Sequence, residues 1–403
     1  MTTIEQSYRS VVGRILLLST ALFLVGTNAF VIAGVLPAIA ETLDAETGQV
    51  SLAITAYSAV VAIASPALAI LLPRVPRTRL MVIGLVLIAA GTALAALSVT
   101  LPMFFAGRIV AALGGAALVP VATATAVAIA PPAHRARAIA LTALGFTAST
   151  AVGSPLGTAL GAVGGWQIPL LAVAALAGVL AIAVALRVRD VPLPPVVSLR
   201  HRFSPLANPR ILSVIATQVF VVAGFNLVYI FSSVVTREAT GGDGTLLAML
   251  LMVYGVAGIA GNLVFGRLTD RIGSRLAASL LLGSHALVLL VMPFVEASFI
   301  GIAAVFALWG LVAFGASIPV QDRLVQIEPA TAGVALSWFT TALYLGVAIA
   351  PPLGTAALAA GGAHLIPLVG AACTLLAFLA FQLGFLRRRR SGSMLSAAER
   401  AQV

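Results

Sequence analysis

The feature that most constrains this chain is its series of long apolar runs, separated by short gaps that carry Arg, Gly or Pro. A run of about 20 apolar residues is what an α-helix needs to cross a hydrocarbon layer ~30 Å thick at ~1.5 Å per residue. Twelve such runs occur, approximately at residues 15–37, 51–72, 80–99, 103–129, 138–162, 168–186, 211–233, 246–265, 276–295, 299–320, 333–357 and 365–386. The pattern predicts an all-α integral membrane protein with twelve transmembrane helices.

Composition agrees with a membrane protein rather than a soluble domain. Hydrophobic residues make up 61% of the 403 residues and charged residues only 9%, against roughly 25% charged residues in soluble domains. All 23 basic residues are Arg, and they are dispersed between the apolar runs. Because they form no basic stripe, the net charge of +11 does not predict a nucleic-acid partner.

The distribution of arginine predicts the orientation in the membrane. Nearly all arginines fall in alternate connections between the apolar runs; Arg237 lies in the opposite set and Arg108 lies within a run. The positive-inside rule places the arginine-rich side in the cytoplasm. With an even number of helices, we expect both termini to be cytoplasmic and the protein to reside in a bacterial inner membrane.

The longest connection divides the helices into two sets of six. Its prolines, Pro192, Pro194 and Pro195, predict an extended linker rather than another helix. The predicted organisation is an N-terminal six-helix bundle (1–186), a cytoplasmic linker (187–210), a C-terminal six-helix bundle (211–386) and a cytoplasmic tail (387–403).

The two halves also repeat each other in sequence. The segment PLGT at 155–158 recurs 197 residues later at 352–355, and Asn28 corresponds to Asn226 at an offset of 198. Asp270 and Arg271 occupy the place of Pro73 and Arg74 in the first half. Six helices per half imply a parallel repeat about an axis along the membrane normal.

Four segments carry recognisable motifs: GRLTDRIGSR at 266–275, GRIVAALG at 107–114, the Gly- and Pro-containing fifth helix at 145–161, and residues 26–37 together with 48–50. With these motifs the chain resembles the major facilitator superfamily over nearly its whole length. Within it, the chain is similar to the drug:proton antiporter branch that includes chloramphenicol and arabinose-like efflux proteins.

This resemblance implies a secondary active transporter made of two six-helix bundles in a parallel pseudo-two-fold repeat. It implies that Asp270 and Arg271 hold the cytoplasmic face closed, and that Arg108 serves proton exchange or substrate coupling. The antiporter motif of the fifth helix corresponds to Gly153, Pro155 and Gly157. The alternatives are a turn with a membrane anchor for the first pair, an Arg that reaches to the membrane edge for Arg108, and close helix packing for the fifth helix.

Polar and aromatic residues of helices one, two, seven and eleven are the candidates for lining a substrate cavity: Asn28, Phe30, Tyr57, Phe225, Asn226, Tyr229, Trp338 and Tyr344. An apolar cavity with a few polar groups suits a small amphipathic substrate. For each aromatic residue, ordinary packing is the alternative.

Proton coupling lacks its usual titratable group in this chain. Related drug exporters often carry an acidic residue where this chain has Asn28, and no carboxylate falls deep in a predicted helix. Glu41, Asp322 and His285 remain as candidates, and we expect His285 to be structural.

The predicted function is export of a small amphipathic drug or metabolite by alternating access, as a proton-coupled antiporter. A sugar or nucleoside exporter, or an uncoupled facilitator, is the alternative. A membrane enzyme is disfavoured because no acid–base pair or metal-spaced His cluster occurs within the apolar runs. No metal or cofactor is predicted, protons are the possible coupling ion, and we expect a monomer in the lipid bilayer.

Overall fold

The computed structural model describes residues 3–72, 74–189, 191 and 199–385. Pro192, Pro194 and Pro195 of the predicted linker, Pro73, and the predicted tail 387–403 lie outside these residues. The described part consists of helices and turns, and twelve of its helices are long and apolar enough to cross a membrane. They are α1 Val11–Thr42, α2 Thr47–Leu71, α3 Arg77–Ala96, α4 Leu101–Ile129, α5 Arg137–Gly164, α6 Gln167–Arg187, α7 Pro209–Ile230, α8 Gly244–Ile272, α9 Ser274–Phe294, α10 Phe299–Ile327, α11 Ala332–Gly361 and α12 Leu365–Leu383. The predicted all-α fold with twelve spans is confirmed.

Polar residues in the connections fix where several helices begin. Thr100 accepts a hydrogen bond from the main-chain N–H of Met103 before α4, and Ser298 accepts one from Gly301 before α10. Asp243 accepts from both Thr245 and Leu246 at the start of α8. These side chains satisfy N–H groups that the first turn of a helix leaves without partners.

Both halves of the chain use the same set of helix neighbours. In the first half α1 packs on α5, α2 on α4, and α3 on both α4 and α6. In the second half α7 packs on α11, α8 on α10, and α9 on both α10 and α12. The internal sequence repeat therefore corresponds to a repeat of packing, with six spans in each half.

The two halves meet directly at the end of the bundle that holds the α1–α2 and α7–α8 connections, here called the far end. The Oγ atoms of Ser51 on α2 and Thr355 on α11 lie 3.4 Å apart. Four residues along α2, Thr55 donates a hydrogen bond to the main-chain oxygen of Ala348 at 2.8 Å. Gly48 lies so close to α11 that an added Cβ would come within 2.6 Å of the Thr355 methyl group.

A second direct contact between the halves joins α5 to α8. A Cβ added at Gly255 would fall 2.2 Å from the Cα of Ala151, so only glycine allows this approach. Nearer the far end, a Cβ added at Gly244 would lie 2.8 Å from the Cβ of Ala162. Together the α2–α11 and α5–α8 contacts close the far end.

The opposite end, here called the arginine-rich end, holds the α2–α3 and α8–α9 connections and is joined differently. A short helix, Leu199–Phe203, lies between α2 and α11 and is here called the linker helix. Arg202 donates to the main-chain oxygen of Ala69 at 3.3 Å, and the Trp338 indole donates to the main-chain oxygen of Arg202 at 2.8 Å. From Ile63 to Leu71 no residue of α2 is buried. The halves are thus bridged at this end through the linker helix.

Candidate functional site

Arg108 is fully buried on α4 and is bound to α1. Its Nη1 donates to the main-chain oxygen of Asn28 at 3.0 Å and to the side-chain Oδ1 of the same residue at 3.1 Å. The guanidinium carbon also lies 4.5 Å from the ring centroid of Tyr57, a cation–π contact. Because no part of its side chain is exposed, an Arg that reaches to the membrane edge does not describe this residue.

Asn28 connects three helices. Besides Arg108, it is bound by Thr92 on α3, whose hydroxyl donates to Oδ1 at 3.1 Å. The sequence alone gives no signal for Thr92, because a Thr in an apolar helix commonly bonds its own preceding turn.

Several polar atoms of this cluster lack a partner among the described residues: Nδ2 of Asn28, Oη of Tyr57, and Nε and Nη2 of Arg108. Buried polar groups in proteins are usually hydrogen-bonded. The cluster therefore has donors available for water or for a bound molecule.

The second half places aromatic rings where the first half places a charge. Tyr254 on α8 follows Tyr57 by the same 197-residue offset as the sequence repeat, and its ring lies 4.1 Å from that of Trp309 on α10. The Trp309 indole donates to Nε2 of His285 at 3.2 Å, and Nδ1 of His285 lies 3.4 Å from the Thr374 hydroxyl. Both ring nitrogens of His285 have partners, as expected of a structural histidine. Tyr254 is not among the predicted cavity residues, although the repeat offset from Tyr57 points to it.

A series of ring contacts joins the two halves. Phe30 on α1 meets Tyr229 on α7 with ring centroids 5.5 Å apart, and it also meets Phe146 on α5 at 6.2 Å. Tyr229 in turn lies 5.5 Å from Tyr254. The hydroxyls of both tyrosines are buried and have no hydrogen-bond partner among the described residues. These rings and hydroxyls form a buried, mostly apolar cluster with a few polar groups between the halves.

The remaining cavity candidates lie in different surroundings. Asn226 donates to the main-chain oxygen of Val222 in its own helix at 2.9 Å, so its role differs from that of Asn28. Phe225 is half-buried beside it. Tyr344 on α11 belongs to a small buried cluster with Tyr57, and Trp338 lies against the linker helix, 5.3 Å from the Phe203 ring. The structure thus brings Tyr344 to the Arg108 cluster and leaves Trp338 at the arginine-rich end.

The glycines of α5 pack against α1. A Cβ added at Gly153 would meet the hydroxyl of Thr27, and one at Gly157 would meet the Val31 side chain, both well inside van der Waals contact. Pro155 is buried just after a π-helical turn, Ser149–Gly153, that interrupts the α-helix. The opposite side of this turn carries Ala151, the contact of Gly255. The motif therefore combines close packing within one half with a contact to the other half.

Asp270 and Arg271, the pair predicted to hold the cytoplasmic face closed and here called the latch pair, do not hold the two halves together in this structure. Asp270 and Arg271 are both exposed, and no ion pair of either occurs in the described part of the chain. Each carboxyl side chain whose burial is described is likewise exposed or half-buried, including Glu41 and Asp322. The transport roles assigned to these residues remain predictions.

Two related helical halves that meet around buried polar and aromatic groups have the architecture of a membrane transporter. The family model of the Major Facilitator Superfamily matches residues 18–327. The chain belongs to this superfamily, and it is a transporter rather than an enzyme. The expected superfamily is confirmed; its drug:proton antiporter branch stays a prediction.

Similar proteins support the same assignment. The MFS-type transporter YbcL of Bacillus subtilis (strain 168) is 29% identical over 346 residues, which cover 85% of this chain and 87% of that protein. The inner membrane transport protein YdhP of Escherichia coli (strain K12) is 26% identical over 378 residues, covering 93% of this chain and 96% of that protein.

Solved structures share the fold at low sequence identity. The nucleoside transporter NupG superposes with a TM-score of 0.75 at 12% identity, covering 92% of this chain and 99% of that one. A bacterial homolog of the human lysosomal transporter Spinster, in an inward-facing and occupied conformation, superposes with a TM-score of 0.73 at 17% identity, covering 94% of this chain and 97% of that one.

Proposed function

We propose that this chain exports a small amphipathic molecule by alternating access. In this proposal it lies in a bacterial inner membrane with its arginine-rich end facing the cytoplasm. The observation that carries the proposal is the difference between the two ends. At the far end α2 contacts α11 directly and α5 contacts α8, whereas at the arginine-rich end the linker helix stands between α2 and α11. A substrate would enter from the cytoplasm, and the halves would then rock to open the far end.

The character of the central groups supports an amphipathic substrate. Phe30, Tyr229 and Tyr254 provide an apolar surface, and the tyrosine hydroxyls lack partners within the described chain. Arg108 supplies unpaired donors beside Asn28. A few polar groups in apolar surroundings can fix the orientation of a ligand that carries few hydroxyl groups. A sugar would need more polar partners, so an amphipathic substrate is favoured over a sugar.

The absence of an ion pair at Asp270 and Arg271 in the described chain supports the proposal that the arginine-rich end is the open end in this structure. Asp270 and Arg271 are exposed at the arginine-rich end, and in this proposal they find partners when that end closes. The similarity of the fifth span to the antiporter motif supports export.

Proton antiport is the second part of the proposal. Since each carboxylate with described burial is at least partly exposed, the proton would be exchanged at the rim carboxylates Glu41 or Asp322 rather than at a buried acid. His285 is a poorer candidate because both of its nitrogens already have partners.

A compound accumulation panel tests the proposal in a bacterial host that lacks its own drug pumps. Cells expressing the chain would be compared with cells expressing Arg108→Ala at equal membrane abundance, with and without a protonophore. We expect lower accumulation of at least one amphipathic compound only with the unsubstituted chain, and we expect the protonophore to abolish the difference. Unchanged accumulation of every compound, with excretion of a nucleoside or sugar, would favour the alternative substrate class. Export that persists with the protonophore would remove proton coupling from the proposal.

A further inference from the structure

A cavity, distinct from the central rings, opens at the arginine-rich end of the second half. Its volume is about 570 Å³, and it lies between the start of α9, the end of α10 and the residues that follow α12. Its principal lining residues are Ser274, Arg275, Arg323, Gln326, Gln382 and Phe385. None of the described residues that line it is acidic.

Two arginines share one aromatic ring in this cavity. The guanidinium carbons of Arg275 and Arg323 lie 4.8 Å and 4.2 Å from the ring centroid of Phe385. Within the described chain neither guanidinium has an ion pair, and Nε of Arg323 is buried without a hydrogen-bond partner. Stacking on the ring orients the planar guanidinium groups but leaves their N–H donors unused.

The surrounding charge is positive. Arg210 and Arg275 both repel the charge of Arg323, and Asp322 is the acidic group of the described chain that offsets it. The Asp322 carboxylate accepts a 2.6 Å hydrogen bond from Nε2 of Gln326, which keeps part of its hydrogen-bonding capacity occupied. Two like charges on one ring are unfavourable unless an anion lies near them.

Neutral groups add donors on the α9 wall of the cavity, which also carries Arg275. α9 begins after Gly273, which has φ 79° and gives the helix no side-chain cap. The N–H groups of a helix start favour an anion. Gln382 reaches the hydroxyl of Ser279 at 2.6 Å, so this wall is polar as well.

We propose that this cavity binds a phosphate-bearing anion between Arg275 and Arg323. Arginine matches phosphate because its planar group donates two parallel N–H bonds. The cavity lies where α9 begins and α10 and α12 end, at the level expected for lipid headgroups. It is large enough for a phosphodiester with its headgroup as well as for a soluble phosphate. The inference does not depend on what the central site transports.

Thermal unfolding of the purified full chain in neutral detergent tests the site. The probes are phosphatidylglycerol, phosphatidylcholine and inorganic phosphate, and the variants are Arg275→Gln, Arg323→Gln and the matched control Arg267→Gln. Arg267 lies at the same end but donates to the main-chain oxygen of Leu263, outside the cavity. We expect phosphatidylglycerol to raise the Tm of the unsubstituted chain and of the control by several degrees, and the shift to fall by at least half in both cavity variants.

Comparison of phosphatidylglycerol with inorganic phosphate shows whether the anion is a lipid headgroup or a soluble phosphate. A Tm rise with inorganic phosphate that needs Arg275 and Arg323 would identify a soluble anion, whereas a rise with phosphatidylglycerol alone would identify a lipid. An equal shift in all four proteins, or none in any, would overturn the proposal. Should Arg323→Gln fail to fold, native mass spectrometry of lipid retained by Arg275→Gln against Arg267→Gln decides the same question.

Discussion

One nitrogen of Arg108 donates to both oxygens of Asn28, so a charge on α4 is held by the main chain and the side chain of α1. This link joins two helices of the same half at the level of the rings that contact the other half. A change at either residue should therefore affect both stability and transport.

Arg108→Lys is expected to fold and to lose transport by roughly tenfold or more. Lysine keeps the charge but not the planar group that donates to Asn28 and lies over Tyr57. The measurement is accumulation of an exported compound, with Arg267→Lys as the control at the arginine-rich end. Full transport by Arg108→Lys would show that only the charge matters.

Asn28→Leu and Asn226→Leu should differ in stability despite their equivalent places in the repeat. The Asn28 side chain accepts from Arg108 and Thr92, so its loss removes one of the two acceptors of a buried charge and the acceptor of a buried hydroxyl, at a cost of roughly 3 kcal/mol. Among the residues that the structure describes, Asn226 bonds its own helix alone, and its replacement should cost about 1 kcal/mol or less. Unfolding of the two variants in detergent gives the comparison; equal losses would contradict the asymmetry of the two halves.

Gly48→Val should open the far end. The added side chain would collide with Thr355, and the contact of α2 with α11 could not close. The readout is labelling of a cysteine at Ala348 by an impermeant thiol reagent in a Cys373→Ser background, because Cys373 is the one native cysteine. Gly283→Val is the control, since a Cβ there would meet nothing within 4 Å. Equal labelling in both variants would argue against a seal at Gly48.

Asp243 should make stability depend on acid pH. Hydrogen bonds from the main-chain N–H groups of Thr245 and Leu246 lower the pKa of this carboxyl below its ordinary value of 3.8. Its contribution is therefore fully present above that ordinary value and is lost as pH falls through the lower pKa of the folded chain. Asp243→Asn keeps a cap without titrating, so its Tm should fall less than that of the unsubstituted chain between pH 5 and pH 3. Parallel curves would contradict this assignment.

The spans were predictable because the bilayer requires about 20 apolar residues in each helix, and this signal is strong in every run. The Arg108 site was predictable in part: an Arg and an Asn in apolar helices must find partners. Which partners they find depends on how helices rotate about their axes, and no local pattern specifies that. Asn28 and Asn226 look equivalent in sequence, yet Asn28 bonds an arginine and Asn226 bonds its own helix, because Phe306 stands in the second half where Arg108 stands in the first.

Trp338 is a second residue whose contacts could not be predicted from the sequence. Its position in the eleventh span suggested a cavity residue, but its indole bonds Arg202 of the linker helix. Contacts of a connecting segment leave little periodic signal in the sequence. The sequence points to the glycines of α5, whereas their contacts on α1 could be assigned only from the structure.

Reversible cross-linking of α2 to α11 tests the central claim, that the halves separate at the far end during transport. Ser51→Cys and Thr355→Cys in the Cys373→Ser background place two thiols where the present oxygens lie 3.4 Å apart, within reach of a disulfide. We predict that oxidation stops export of a compound found in the accumulation panel, that reduction restores it, and that the Ser51→Cys chain alone is unaffected by either. Export by the cross-linked chain at the rate of the reduced one would contradict alternating access through this end.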